Sequence, residues 1–317
     1  MYNKLFLPSV VAYCTLVAGG VASAGEIRGT ISSTLNITED SWLNGDVICR
    51  VQGAPCIRVT ASNITIWLNT YSITGQGDPP DGCFPGGFAA NQEHAIEVSG
   101  QRRVEILGPG VIQRARGWGI FLGGNTTRTT VKDLTISSNC LSGVQLWEET
   151  NDNLIEGVVA VRNGNREAGC GGFCTFRSHN NRFRGNVASG NGYAVSPTNL
   201  NFGLALSGRG NTVSENIITG NVTGIHITGA SVDNLVYRNI IAGNPPIQIS
   251  VNVPEFRGFD IRNFSPEGAN TILENSCSTY SGAGRSPCPS IIGELFSLLT
   301  RGLQPSSPPA VERLRRR

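Results

Sequence analysis

The chain has 317 residues, of which 39% are hydrophobic and 15% are charged, and its formal net charge at pH 7 is +2. So small a net charge gives no argument for a nucleic-acid or anionic-membrane partner. Glycine contributes 40 residues, β-branched residues are common, and no apolar i, i+3, i+4, i+7 pattern persists. This composition disfavours a helical protein and favours short strands joined by turns.

The first 24 residues read as a secretory signal. Lys4 supplies the positive start, residues 5–21 the apolar core, and Ala22-Ser23-Ala24 a small-residue cleavage site. Pro8 interrupts the core, so a membrane-spanning helix is not expected. The mature protein is therefore predicted to be secreted or periplasmic, without membrane insertion.

Eight of the nine cysteines lie beyond the signal. An even number in an exported chain predicts disulfide bonds. Nearness in sequence favours Cys49–Cys56 and Cys277–Cys288 and leaves the pairing of the other four open. A zinc site at Cys170-x-x-x-Cys174 would need a second matched pair, which the sequence lacks, so no metal site is expected. The remaining two members of the predicted disulfide set are Cys83 and Cys140.

One sequence motif, which we call the phrase, occurs twice in the middle of the chain. V-S-E-N-I-I-T-G-N begins at Val213, and V-Y-R-N-I-I-A-G-N begins at Val236, so the interval is 236 − 213 = 23 residues. Weaker copies begin at Val131, Ile155 and Phe183. A fixed period of this length predicts stacked repeat units, because each unit is too short to bury its own apolar face.

Each copy of the phrase has an asparagine eight residues after its first apolar residue. At sharp corners asparagine tolerates left-handed backbone, and stacked amides hydrogen-bond to one another. We therefore expect these asparagines to form a structural ladder: Asn139, Asn163, Asn191, Asn221 and Asn244.

A second phrase, an apolar–x–apolar triplet, recurs between the asparagines and predicts a short strand by its alternation. The triplets begin at Ile96, Ile120, Val144, Cys174, Leu204, Ile225 and Ile247. Their middle residues should point outward in one column: Glu97, Phe121, Gln145, Thr175, Ala205, His226 and Gln248.

The stretch C-I-R-V-T-A-S-N-I-T-I-W-L-N-T-Y-S-I-T-G, residues 56–75, resembles the opening of right-handed parallel β-helix proteins of the pectin-lyase-like superfamily. Together with the repeats, the resemblance covers about residues 45–277. It implies an all-β, single-stranded, right-handed parallel β-helix. It leaves the activity open, because this fold hosts lyases, hydrolases, epimerases and non-enzymes.

The repeat limits predict four regions. An end rung needs a cap because it exposes a core and an unpaired edge. Ser290 to Thr300 has the pattern of a short amphipathic helix, which we expect to cover the C-terminal end of the stack or an apolar side. The regions are a signal peptide (1–24), an N-terminal cap with the first rung (25–60), the β-helix (61–277), and a C-terminal helix with a disordered basic tail (278–317).

Extra residues between rungs fall at one corner. They are Gly164–Gly172 and Gly192–Phe202, and the long segment Gln76–His94 is expected there too. Insertions on one face of a repeat array usually mark its binding side. The opposite corner, for example Ser207–Gly210, stays tight, and we expect it to bind no ligand.

The outward column suits a sugar chain, because aromatic rings stack on sugar faces while polar tips bind hydroxyls and carboxylates. The predicted substrate-binding residues are Trp118, Phe121, Gln145 and Tyr193. A uronate lyase or epimerase needs a cation beside the carboxylate and a base. Candidates for the cation are Arg116, Arg177 and Arg184, and candidates for proton transfer are His226 and Tyr193. A hydrolase needs two facing carboxyl groups, of which the column offers only Glu97.

The sequence thus predicts a monomeric, exported protein that binds or modifies an extracellular polysaccharide, with uronate as a candidate unit. The alternative is a non-catalytic surface, scaffold or adhesive β-helix.

No cofactor is expected: Ca²⁺ could neutralise a uronate, but no aspartate cluster is evident. Exported β-helix proteins of the nitrous-oxide reductase maturation type also resemble this repeat pattern. Copper favours methionine, cysteine and histidine, but the single methionine is the initiator and the three histidines are far apart in sequence, so copper is not expected.

Overall fold

The computed structural model describes residues 25–77, 83, 92–164, 170–192, 202–244 and 258–288. The predicted signal (1–24), Tyr193, Gln248 and the predicted helix at Ser290 to Thr300 lie outside the described residues. Within these ranges, no helix is both long and apolar enough to cross a bilayer.

The described residues form 27 strands in two parallel sheets. The ten-stranded sheet contains β2 (Leu35–Ile37), β4 (Ile57–Val59), β7 (Ile96–Ser99), β10 (Ile120–Gly123), β13 (Val144–Trp147), β16 (Gly171–Phe176), β19 (Phe202–Leu206), β22 (Thr223–Ile227), β25 (Ile261–Asn263) and β27 (Tyr280–Ser281). The seventeen-stranded sheet contains β1 (Gly25–Ile31), β3 (Ser41–Cys49), β5 (Thr65–Trp67), β6 (Ser72–Thr74), β8 (Glu105–Leu107), β9 (Val111–Gln113), β11 (Thr130–Lys132), β12 (Thr135–Ser137), β14 (Leu154–Glu156), β15 (Val159–Val161), β17 (Arg182–Arg184), β18 (Val187–Ser189), β20 (Thr212–Ser214), β21 (Ile217–Thr219), β23 (Leu235–Tyr237), β24 (Ile240–Ala242) and β26 (Thr271–Leu273).

In the regular part of the stack, each rung contributes two strands to the larger sheet and one to the smaller. Val213 pairs with Val236 on the next rung, as the repeated phrase predicts. The right-handed parallel β-helix is thereby confirmed. Parallel pairing already begins at Gly25, where β1 lies beside β3, and it reaches Ser281 in β27. The segment expected to act as an N-terminal cap is therefore itself paired into the stack.

The core is a column of apolar side chains that point inward from the ten-stranded sheet. These residues are paired in register from strand to strand, and each is at most 1% exposed. Burying one such side chain contributes about 1.5–3 kcal/mol to folding. The column consists of Ile57, Ile96, Ile120, Val144, Phe173, Leu204, Ile225 and Ile261.

The predicted asparagine ladder is present along the corner that follows the second strand of each rung. Each side-chain amide donates to the side-chain oxygen of the next asparagine at 2.8–3.2 Å, from Asn139 up to Asn244. Asn244 donates in turn to Asp260. Because these residues are at most 3% exposed, the ladder satisfies backbone groups that water cannot reach.

Two further ladders occupy the other two corners. In both, each asparagine is bonded to its equivalent on the neighbouring rung, as in the first ladder. One contains Asn153, Asn181, Asn211, Asn234 and Asn270. The other contains Asn186, Asn216, Asn239 and Asn275.

The eight cysteines among the described residues are all paired. The predicted bonds Cys49–Cys56 and Cys277–Cys288 are both present. The other four form Cys83–Cys140 and Cys170–Cys174. The second of these pairs joins the two residues that a zinc site would have used.

Candidate functional site

The outward residues of the ten-stranded sheet form a single column in register. Two members differ from the prediction. Strand β16 aligns Cys174 with Gln145, so Cys174 is the outward residue and Thr175 points inward. Above His226 the paired residue is Arg262 of β25. The column is Asn36, Arg58, Glu97, Phe121, Gln145, Cys174, Ala205, His226, Arg262 and Ser281.

The carboxylate of Glu97 is already bonded to two neighbouring side chains. Its Oε2 lies 3.1 Å from the Nε of Arg58, and its Oε1 accepts a hydrogen bond from the hydroxyl of Ser99 at 3.0 Å. The side chain of Glu97 is 14% exposed. Glu97 therefore serves as the partner of Arg58 rather than as a free acid facing solvent.

Arg116, the predicted carboxylate neutraliser, is held by Glu93. Its Nε and Nη2 lie 2.6 and 2.9 Å from the two carboxylate oxygens of Glu93. Glu93 is 9% exposed and also accepts a hydrogen bond from the backbone of Gly53. The charge of Arg116 is thus compensated inside the protein, and the pair fixes the edge of the site.

Four aromatic side chains form a continuous strip across three rungs. Trp118 lies 5.0 Å from Phe121 and 6.3 Å from Trp147, and Trp147 stacks on Phe176 at 4.5 Å (ring centroids). We call Trp118, Phe121, Trp147 and Phe176 the aromatic strip. Trp147 is 37% exposed and the other three rings are partly exposed, so part of the strip is accessible from solvent.

Sequence reasoning found two of these four rings and missed Trp147 and Phe176. Trp147 is two residues beyond Gln145, so strand alternation already places the two side chains on the same face. Phe176 is likewise two residues beyond Cys174, the outward residue of β16, so it lies on the same face. Gln145 itself is 2% exposed, and its amide donates to the carbonyl of Leu146 at 3.1 Å. Tyr193 lies outside the described residues.

The ring of His94 packs against two rings of the aromatic strip. Its ring lies 4.8 Å from that of Trp118 and 4.9 Å from that of Phe121. The side chain is 2% exposed. Burial, together with the nearby Arg58 guanidinium, lowers the pKa of His94 to about 3, so the ring is a neutral packing group at physiological pH.

His226 lies in a second aromatic group farther along the sheet. Its ring stacks on Phe202 at 4.2 Å and meets Phe264 edge-on at 5.4 Å. It is 8% exposed, and its Nδ1 has no hydrogen-bond partner among the described residues. Burial and the adjacent Arg262 lower the pKa of His226 to about 4. The ring is therefore neutral at physiological pH.

The described residues contain no cluster of three or more histidine, cysteine, aspartate or glutamate side chains that could hold a metal ion. The eight cysteines in the part of the chain that the structure describes are in disulfides. His94 and His226 belong to two different aromatic groups.

Comparison with solved structures finds similar folds. One is the enzymatically active domain of tailspike protein 2 of bacteriophage CBA120, with TM-score 0.52 and 12% identity over 80% of this chain and 38% of that one. Another is the ORF18 protein of Geobacillus virus E2, with TM-score 0.50 and 13% identity over 84% of this chain and 50% of that one. A third is an alginate lyase from Paenibacillus sp., with TM-score 0.50 and 13% identity over 83% of this chain and 97% of that one.

At these identities the likeness concerns the fold alone. The chain spans only 38% and 50% of the two viral proteins. No curated protein sequence matches the chain.

A protein-family model described as periplasmic copper-binding protein (NosD) matches residues 86–253. The matched region is more than half of the 317 residues. It contains strands β7 to β24, and therefore the aromatic strip and His226. The chain belongs to the NosD family of right-handed β-helix proteins.

Proposed function

We propose that this protein binds a polysaccharide across the outer face of the ten-stranded sheet. The single observation that carries the proposal is the aromatic strip, in which four rings follow one another across three rungs at 4.5–6.3 Å. Apolar ring faces of this kind stack on the faces of sugar rings. Neighbouring strands repeat about every 4.8 Å, so the strip offers a row of contacts suited to a chain.

The proposed location is the periplasm or the cell exterior. Four disulfides persist only where the environment is oxidising. The description of the NosD family as periplasmic agrees with this. The polysaccharide would then belong to a cell envelope or to its surroundings.

The direct test is a panel of neutral and acidic polysaccharides offered to the mature protein. Binding is followed by retardation in gels that contain each polymer. Reducing ends and the absorbance of unsaturated uronates are recorded in parallel. Retardation by at least one polymer supports the proposal, and unchanged mobility in every gel overturns it. Binding without products would identify the non-catalytic alternative.

A second candidate function is proton abstraction from a uronate, the step shared by lyases and epimerases. The observation that favours it is the pairing of His226, whose Nδ1 has no hydrogen-bond partner among the described residues, with Arg262 on the adjacent strand. In this scheme His226 accepts the proton next to the carboxyl group, while Arg262 stabilises the carboxylate on which charge develops. A His226→Ala variant should lose turnover and keep binding at the aromatic strip, because the two groups are separate.

Hydrolysis has less support. A glycosidase of the usual kind needs two carboxyl groups facing one bond, and Glu97 is paired with Arg58. Removing Glu97 should therefore affect the stability of the column before it affects any chemistry.

Copper is implied by the description of the family, but the described residues do not fit it. Copper binds thioether, thiolate and imidazole ligands. Here the eight described cysteines are in disulfides, no three histidine, cysteine, aspartate or glutamate side chains cluster among the described residues, and the only methionine of the sequence is Met1. No step of the proposed function is assigned to copper.

A further inference from the structure

A groove opens at the tight corner, beside the end of the aromatic strip. Its volume is about 420 Å³. Four successive turns line it, and we call it the corner groove. The lining residues are Glu149, Arg177, His179, Ser207, Gly208, Arg209, Ala230 and Val232. The sequence predicted that this corner binds nothing, because its turns are short.

The backbone of these turns shapes the groove. Gly208 has φ +143°, and a Cβ at this position would collide with the carbonyl oxygen of Ser178. Only glycine fits there, because the turn packs directly against the backbone of Ser178 on the neighbouring rung. The backbone N–H of Arg209 donates to Nδ1 of His179 at 3.0 Å. This bond orients the imidazole and leaves the other ring nitrogen, Nε2, as its donor.

Two guanidinium groups line the groove, and both are only loosely paired. Arg177 lies 3.6 Å from Glu148, and Arg209 lies 3.9 Å from Asp233. Both arginine side chains are 70% exposed. Exposed pairs of this kind contribute only about 0–1 kcal/mol, so an incoming anion can replace either carboxylate at little cost. The one lining carboxylate, Glu149, is 3.9 Å from Nε2 of His179.

The groove continues the aromatic strip. The guanidinium of Arg177 lies 5.1 Å above the ring of Phe176, and Phe176 stacks on Trp147 at 4.5 Å. A chain whose sugar rings lie on the strip would reach Arg177 at its next contact. Arginine recognises carboxylates through paired N–H donors.

We propose that the corner groove binds a carboxylate of an acidic polysaccharide, with Arg177 and Arg209 as its donors. The inference rests on the proposed function and deepens it, because it names uronic acid as the substrate class and extends the site to the corner opposite the inserted loops.

The test compares two probes: the polyuronate that the panel shows to bind most tightly, and the same polymer with its carboxyl groups reduced to alcohols. The protein variants are Arg177→Ala combined with Arg209→Ala, and Arg238→Ala as a control. Arg238 is a matched choice because it is also exposed and paired, with Glu274, but lies outside the groove. Affinities are measured by retardation at low salt, where exposed charges are least screened.

We expect the groove variant to lose about tenfold in affinity for the polyuronate, a change of about 1.4 kcal/mol, and to bind the reduced polymer like the wild type. Arg238→Ala should match the wild type on both probes. Equal affinity of the wild type for both polymers would overturn the inference, as would an equal loss in Arg238→Ala. If the wild type bound neither polymer nor any other member of the panel, the proposed function itself would fail.

Discussion

The outer faces of the two sheets are built by the same repeat, yet two of their outward rows differ in chemistry. On the seventeen-stranded sheet, one outward row reads Thr135, Val159, Val187, Ile217 and Ile240, all β-branched. On the ten-stranded sheet, the outward column changes side-chain type at nearly every step, from Glu97 to Phe121 to Gln145. A row set by strand formation alone repeats, because every rung has the same need. A row that varies is free to serve recognition.

The first prediction separates the inside of the stack from its outside. Ile225→Asp places a carboxylate in the core, where Ile225 is 0% exposed, and burying an unpaired charge costs at least about 4 kcal/mol. We expect the protein not to fold, as measured by circular dichroism and soluble yield. Ile240→Asp, at a site 53% exposed on the seventeen-stranded sheet, is the control and should change stability by less than about 1 kcal/mol. Equal losses would contradict the assignment of the core.

The second prediction concerns the corners that join the two sheets. Asn216→Ala removes the hydrogen bonds that the side chain makes to Asn239, to the carbonyl of Phe183 and to the backbone of Asn186. Leaving these buried partners unsatisfied should lower the free energy of unfolding by about 2–4 kcal/mol in urea denaturation.

The matched control for the ladder is Asn36→Ala, because Asn36 is exposed on the outer face of β2. It should lie within about 0.5 kcal/mol of the wild type. A similar loss in the free energy of unfolding at both positions would mean that an asparagine in the ladder stabilises the protein no more than one on the surface does.

The sequence predicts the fold and the asparagine ladders more completely than it predicts the candidate site. The fold and the first ladder follow from the phrase that begins at Val213 and again at Val236, because stacking forces equivalent residues to repeat. The ladder through Asn216 and Asn239 was visible in the same phrase, whose fourth letter is asparagine in both copies. In the copies that begin at Val131 and Ile155 the fourth letter is leucine or valine, so this asparagine does not repeat through the whole stack.

The candidate site was less predictable, since recognition residues need not repeat. The outward position of Cys174 was misassigned by one residue, because β16 begins at Gly171 and its triplet is Phe173-Cys174-Thr175. Arg262 was missed because its strand follows a long interruption after Asn244. The corner groove could not be foreseen, because its shape depends on how four turns stack.

The third prediction is a loss of stability in acid that originates at the ten-stranded sheet. The pKa of His94 is about 3 in the folded protein, against the ordinary value of 6.5 for a histidine exposed to water. The unfolded chain therefore binds more protons below pH 6.5. The stabilisation is complete above that pH and is lost as the pH falls toward 3. At pH 5 the loss amounts to about 2 kcal/mol.

His226, with a pKa of about 4, adds a loss of the same sign over a similar range. Urea denaturation between pH 7 and 5 measures the slope. A His94→Gln variant should have a shallower slope than the wild type, and His94→Gln with His226→Gln a shallower one still. Unchanged slopes would place both rings in contact with solvent.

The most direct measurement compares one exposed apolar side chain from each sheet. Trp147→Ala truncates the aromatic strip, and Ile240→Ala truncates the β-branched row of the seventeen-stranded sheet; the two side chains are 37% and 53% exposed. Both variants should melt close to the wild type. In gels that contain the bound polysaccharide, Trp147→Ala should lose about tenfold in affinity, whereas Ile240→Ala should be retarded like the wild type. Wild-type retardation of Trp147→Ala together with loss in Ile240→Ala would contradict the account and move the binding face to the other sheet.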